Sequence, residues 1–335
     1  MEDLLQALRA AGEATRLRIL AVLARSELTV SELCRVLGQT QPRVSRHLRL
    51  LCEAGILQRH AQGTSAFYRP ARAGRGRDLF DAVVPLIDQQ DPGLQADLRR
   101  LTAIREERAE AAAAYFEAVA SDWDRMRTRH VGDDEVENAM LAAVEDLAIG
   151  QLVDVGTGTG RVLEIFADRI ERGIGLDLSN QMLDLARSRL DQLGHRHCSV
   201  RQANAYGLGI DTGSADVGVL HHVLHYLDDP ATAIAEVART LRPGGRLLIV
   251  DFASHSEESM RSDYAHHWLG FDDDEVIGWC TDVGLIDCAV KHLTLADADD
   301  GLTVTLWVAT QHPDAPALYT LNADNVASDK IEVAS

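Results

Sequence analysis

Cysteine is scarce and scattered in this 335-residue chain: Cys34, Cys52, Cys198, Cys280 and Cys288 are odd in number and show no CxxC spacing. That pattern argues against a disulfide framework and a zinc ribbon, and it suits a reducing cytoplasm. Long hydrophobic runs are missing too. No window approaches the roughly eighteen uncharged apolar residues that a membrane span needs, so no membrane partner is expected. The opening MEDLLQALRAAGEATRLRIL has no basic start followed by an apolar block, and export is not expected. The rest is near the globular average, 46% apolar and 25% charged, with length for about two domains of roughly 100 to 200 residues.

Basic residues are outnumbered overall, for a net charge of −19, but they are unevenly placed. Residues 1–77 carry 13 Arg against 6 Asp and Glu, net +7, and the remainder is net −26. A basic head lowers the cost of approaching phosphates. The acidic remainder repels nucleic acid and suits a cationic or small ligand.

In the head, Leu17, Ile19, Leu20, Val22 and Leu23 recur at helical spacing, and SELTVSELCRVLG is a second helical stretch closed by Gly38. In TQPRVSRHLRLLCEAG, Thr40 is placed as a helix N-cap, Pro42 sits in the first turn, and Val44, Leu48 and Leu51 form one inward stripe. Arg46 and Arg49 lie opposite that stripe, flanked by Arg43 and Ser45. Guanidinium groups on such a face fork onto guanine edges or clamp phosphates, and a helix fits the major groove. GILQRHAQGTSAFYRP then reads as a β-wing turning at Gln62 and Gly63, with Arg59 and His60 on one arm and Arg69 on the other. Singly, each arginine reads as a solvated surface charge; in this order the elements predict a winged helix-turn-helix.

Residues 78–150 are rich in Ala, Leu, Arg and Glu, interrupted by Asp91, Pro92 and Gly93, and read as mostly helix. Tyr115, Phe116 and Trp123 on it are either ligand contacts or core.

Beyond residue 150, QLVDVGTGTGRVLEIFA reads as a buried strand, a glycine-rich turn and a helix. Gly156, Gly158 and Gly160 are spaced GxGxG. A dinucleotide fingerprint needs its third glycine one place later, where Arg161 stands, which tells against NAD. A second strand, GIGLDL, ends in Asp177, with Ser179 placed to cap the next helix. In a doubly wound sheet the ligand crosses the carboxyl ends of the strands, so this carboxylate can accept from both hydroxyls of a ribose. Strand three, SVRQAN, ends in Asn204; ADVGVLHHVLHYL, RLLIVDF, IDCAVKHL and TVTLWVATQ are the later strands, and the alternation is α/β throughout. His221, His222 and His225 with His255 can in principle gather a metal, but a strand-end histidine pair more often shapes a pocket, and no metal is expected. Cys198, Cys280 and Cys288 offer no adjacent thiol pair and are read as packing residues, like Cys34 and Cys52.

Residues GEATRLRIL through SAFYRP resemble the ArsR family of dimeric winged-helix repressors, most closely in QPRVSRHLRLLCEAGIL. Many members bind metal through an ELCVCDL-like run; here Thr29 and Ser31 of ELTVSEL stand where thiolates would be, so soft-metal sensing there is not expected. VDVGTGTG, Asp177, Asn204, LHHVLHYLDDP and LRPGGRLLIVDF resemble a class I S-adenosylmethionine-dependent methyltransferase. That resemblance implies a Rossmann-like body whose cofactor is held by Asp154, Gly156, Thr157, Gly158, Gly160, Asp177, Leu178, Asn204, Ala205 and His221. Most members would have Asp at position 204. The head's resemblance implies DNA contacts from Gln41, Arg43, Ser45, Arg46, Arg49, Arg59 and Arg69.

The expected organisation is a winged helix-turn-helix over 1–80, a helical dimerisation and lid segment over 81–149, a methyltransferase-like domain over 150–311 and a polar tail over 312–335. SDYAHHWLGFDDDEV looks like regulators of this fused type that answer to S-adenosylhomocysteine and control the methionine cycle. The leading expectation is a cytoplasmic, homodimeric repressor of operator DNA with S-adenosylmethionine or S-adenosylhomocysteine as effector. The alternative is an active small-molecule methyltransferase with a regulatory head; His221, His222, Tyr226, Asp251 and His255 fall where its substrate pocket would be, and none has a catalytic role assignable from spacing. A nucleic-acid methylase is disfavoured, because the −26 remainder would repel its own substrate.

Overall fold

A computed structural model describes residues 2–62, 65–71, 74–119, 133–294 and 302–314. The side chains of Tyr115 and Phe116, all of Trp123, and the tail from residue 315 lie outside the described residues.

The head is built on α1 (Glu2–Ala11), α2 (Ala14–Leu23), α3 (Val30–Leu37) and α4 (Gln41–Glu53), which bury Ile19, Leu20, Leu33, Val36, Val44 and Leu48 in one core. A capping box starts α3: the Thr29 hydroxyl accepts from the Glu32 amide and the Glu32 carboxylate accepts from the Thr29 amide. Thr29 therefore has a structural task in the run where a related metal sensor carries thiolates. Gly38 ends the helix at φ 63, a left-handed conformation that suits glycine. The short β1 (Leu28–Thr29) pairs antiparallel with β3 (Ser65–Pro70), and β3 with β2 (Leu57–Gln62), giving the order β1-β3-β2.

The described parts of the connecting segment carry α5 (Arg75–Val83), α6 (Pro92–Val119) and α7 (Asp133–Ala142), the helices expected there. Asp91 accepts from the Leu94 amide at 2.8 Å and so starts α6. Leu101 and Ile104 join the head's core. Fully buried Asp97 takes a two-pronged grip from Arg18, Nε to Oδ2 and Nη2 to Oδ1, each at 2.6 Å. A buried carboxylate without such a partner would be costly; with it, α6 is tied to the head.

The body has a seven-stranded sheet in the order β6-β5-β4-β7-β8-β10-β9. Its strands are β4 (Ile149–Val155), β5 (Ile170–Asp177), β6 (Cys198–Gln202), β7 (Ala215–His221), β8 (Leu241–Phe252), β9 (Leu285–Thr294) and β10 (Thr303–Gln311). All neighbours are parallel except β10, which runs against β8 and β9. Central β7 is buried throughout until His221, as a parallel strand covered on both faces must be. The covering helices include α8 (Arg161–Phe166), α9 (Asn180–Leu193), α10 (Pro230–Thr240), α11 (Ser259–Tyr264) and α12 (Asp273–Asp282). The fold is α/β, a Rossmann-like body with an N-terminal winged helix-turn-helix. Strand β6 stops two residues short of Asn204, because the Asn204 side chain takes the Tyr206 amide at 3.0 Å and turns the chain out of the sheet.

Candidate functional site

Helix α4 turns Val44, Leu48 and Leu51 inward and leaves Gln41, Arg43, Ser45, Arg46 and Arg49 exposed. Thr40 is the N-cap residue with Pro42 in the first turn, but its hydroxyl makes no capping bond. Arg49 reaches Glu53 only loosely, at 3.8 Å on the surface. Arg59 on β2 is exposed as well. Arg69 is a correction: only 6% exposed, it donates to Glu27 at 3.4 Å and to Glu275 of α12. Two carboxylates neutralise it inside the protein, so its charge is not offered to a phosphate.

On the body, the carboxyl ends of β4, β5 and β7 converge on the glycine turn. The amides of Gly156 and Thr157 both donate to the Leu176 carbonyl, at 2.7 and 2.9 Å, which folds the turn back over β5. Gly156 has φ 71, and a Cβ there would lie 2.2 Å from Val223, so only glycine fits. Asp177 takes the Gly158 amide on Oδ2 at 2.9 Å and the Ser179 amide on Oδ1 at 2.8 Å. Ser179 caps α9 through the Met182 amide. Desolvation holds the Asp177 carboxyl above its usual range, with those amides pulling the other way.

Asp154, the last but one residue of β4, is fully buried, and neither of its oxygens has a hydrogen-bond partner among the described residues. Burial pushes its carboxyl up to about 7, opposed by the nearby Thr157 hydroxyl and helped by the neighbouring Asp177 charge. Leu178 is 54% exposed beside Asp177. Asn204 is exposed, Ala205 half-buried, and His221 half-buried at the end of β7.

A histidine cluster follows β7. His225 is 2% exposed, and its Nδ1 lies 2.6 Å from Oδ1 of fully buried Asp251. Burial, then repulsion from His255, pushes His225 down to about 3; burial pushes Asp251 up to about 6, against the pull of His222. At neutral pH the pair is a neutral imidazole donating to a carboxylate. The backbone amides of Phe252 and His225 also reach that carboxylate, at 2.8 and 3.4 Å. His266 stacks on His225 with ring centroids 3.9 Å apart. His222, with φ 55, is held in the left-handed region, a strained choice for a side-chain-bearing residue. His222, His225 and Asp251 bring ligand-type atoms within 4.8 Å of one another, the group that can hold a cation among the described residues; His255 is not part of it.

The fold also joins residues that spacing left apart. Cys280 of α12 and Cys288 of β9 sit in one apolar cluster, and each thiol acts on the other: Cys280 is held up and Cys288 down. A thiol pair therefore exists, contrary to the expectation from spacing; only β9 lying against α12 could reveal it. His266 and Trp268 escaped too, although the run AHHWLG was a visible signal.

Comparison with known proteins decides the identity of both parts. Residues 13–59 match the bacterial regulatory protein, arsR family, and residues 153–249 match the methyltransferase domain. The chain is an ArsR-type regulator head fused to a class I methyltransferase domain. The ArsR match runs from the start of α2 into β2, and the methyltransferase match from β4 into β8.

Among curated relatives, the uncharacterized methyltransferase YcgJ of Bacillus subtilis is 27% identical over 128 residues, 38% of this chain. A demethylmenaquinone methyltransferase of Lactococcus lactis is 27% identical over 158 residues, 46% of this chain. An uncharacterized 37.1 kDa protein in transposon TN4556 of Streptomyces fradiae is 34% identical over 116 residues, 34% of this chain. The matched stretches span 50%, 62% and 33% of those relatives' own lengths. The crystal structure of the B. subtilis YcgJ protein aligns at 18% identity and a TM-score of 0.47, over 53% of this chain and 99% of that one. No helix among the described residues of the fusion is long and apolar enough to cross a membrane.

Proposed function

We propose that the fusion is a homodimeric repressor whose methyltransferase domain holds S-adenosylmethionine or S-adenosylhomocysteine as an effector, with methionine-cycle genes as its targets. The observation that carries this reading is Asp154: a fully buried, unpartnered carboxylate at the glycine turn calls for a ligand that brings a cation or donors. In this reading Asp177 accepts from the ribose hydroxyls with the lone pairs its two amide bonds leave over. Exposed Leu178 covers a face of the adenine, and Asn204 and Ala205 border it. Asp154 and the turn Gly156–Thr157–Gly158–Gly160 meet the amino-acid end, and His221 closes the far side. The body's acidity favours the sulfonium form unless its methyl is sterically refused.

At the other end, Gln41, Arg43, Ser45, Arg46 and Arg49 meet the major groove, and Arg59 meets a phosphate from the wing. Arg46→Ala is expected to weaken binding to a duplex selected from a randomised pool by about 1 to 3 kcal/mol. An unchanged gel-shift titration removes Arg46 from base contact.

A ligand that binds DNA-competent and incompetent forms equally moves nothing, and a swing from 1:99 to 99:1 takes about 5.5 kcal/mol of preference. The deciding experiment titrates the selected duplex alone and with each of the two ligands. The second reading, an active small-molecule methyltransferase, is favoured by the Asp251–His225 pair beside the crevice. When bound, S-adenosylmethionine would supply an electrophilic methyl; positioning alone can supply much of the rate for such an in-line displacement. Steady transfer of isotope-labelled methyl to a cell-metabolite fraction establishes that reading and ends the sensor-only one.

A further inference from the structure

The wing strand is shared between the two domains. Residues alternate across β3: Tyr68 packs against the head's core, while Phe67 and Arg69 face the body. Phe67, 2% exposed, belongs to the body's core and meets the rings of His267 and Trp268 at centroid distances of 5.6 and 5.1 Å. The Arg261 guanidinium lies 5.5 Å from the centre of the Phe67 ring. Two residues on, Arg69 bridges Glu27 of the head to Glu275 of α12. Aromatic packing and a buried ion pair thus pin one face of the DNA-reading wing to the body.

The body side of this seam is bonded directly to the segment that follows β7, at the carboxyl ends of the parallel strands. The amides of His267 and Trp268 both donate to the His225 carbonyl, at 2.8 and 3.0 Å, and the Trp268 indole donates to the Leu227 carbonyl at 2.6 Å. His225 is in turn held by Asp251 at the end of β8. The segment that follows β7 and the segment that clamps Phe67 are therefore bonded to each other through three hydrogen bonds. A second bridge runs alongside: Arg105 of α6 lies 3.5 Å from Asp228 and over the Tyr206 ring, in the loop after Asn204.

We propose that this seam carries the regulation: a ligand seated in the crevice displaces residues 221–229, the bonded His267–Trp268 segment follows, and Phe67 and Arg69 re-aim the wing on DNA. The proposal rests on the effector reading above, and it names the route that reading requires. Coupling of this kind is reciprocal, so the duplex changes ligand affinity by the factor by which the ligand changes duplex affinity.

Glu275→Gln tests it in the full-length protein. Glu27 still pairs with Arg69, so folding is expected to survive, and Glu275 is none of the residues assigned above to the ligand or to DNA. With wild type, S-adenosylhomocysteine or S-adenosylmethionine is expected to shift affinity for the selected duplex at least tenfold. In the variant, each binary affinity should stay within threefold of wild type while the shift falls below threefold, measured in both directions. Phe67→Leu, which keeps apolar bulk and loses the ring contacts, should uncouple in the same way and serves if Glu275→Gln fails to fold. A variant that binds both partners and keeps the full wild-type shift overturns the seam and leaves the effector reading standing. A wild-type protein that binds both partners without any shift overturns the effector reading and the seam with it.

Discussion

Asp177→Ala is expected to lower affinity for S-adenosylhomocysteine by more than a hundredfold in a calorimetric titration. The carboxylate sits at the end of β5 with one amide on each oxygen, Gly158 on one and Ser179 on the other, so it is already aimed. Ribose hydroxyls donating to it would form charge-assisted bonds, each about 1.5 to 3 kcal/mol, and losing two amounts to roughly 3 to 6 kcal/mol. The same substitution frees the Gly158 amide and loosens the glycine turn, which works in the same direction. Asp177→Asn separates the effects: its carbonyl can keep one amide bond while the charge is gone, so an intermediate loss is expected. Affinity within tenfold of wild type for the alanine variant would place the ribose elsewhere.

Asp154→Asn is expected to stabilise the ligand-free protein at pH 8 and to weaken the ligand. Burial raises the Asp154 carboxyl from the usual 3.8 to about 7, so the folded state holds its proton more tightly than the unfolded state does. A carboxyl raised in this way contributes its stability below about pH 4 and loses it as the pH climbs through 7. About three pH units at 1.36 kcal/mol each give a deficit on the order of 4 kcal/mol above pH 7. Asparagine carries no such deficit. Denaturant unfolding should show the variant ahead of wild type at pH 8, with the gap closing toward pH 4; a gap independent of pH would mean that Asp154 does not titrate in this range.

Much of this was legible before any coordinates. The stripe Val44, Leu48, Leu51 made α4 a helix with an arginine face, because a period of 3.6 admits little else. The glycine spacing and the acid ending GIGLDL placed the turn and Asp177, since both are local consequences of a strand running into a helix. What failed to show was long-range. Arg69 looks like the wing's other cation until Glu275, some two hundred residues later, is folded against it. Cys280 and Cys288 are eight positions apart, and only the turn from α12 into β9 makes them neighbours. Asn204 reads as a strand end because strand propensity cannot see its own side chain capturing the Tyr206 amide.

The alternation along β3 sets a rule for tolerated change. A single-residue insertion or deletion within Ser65–Pro70 would swap the two sides of the strand, turning Tyr68 toward the methyltransferase half and Phe67 toward the helices, and so spoil two interiors at one stroke. For the same reason, an amino-terminal fragment released from the rest would carry a bare phenylalanine, and an Arg69 paired with Glu27 alone, on its outer surface, and should prove sticky in solution.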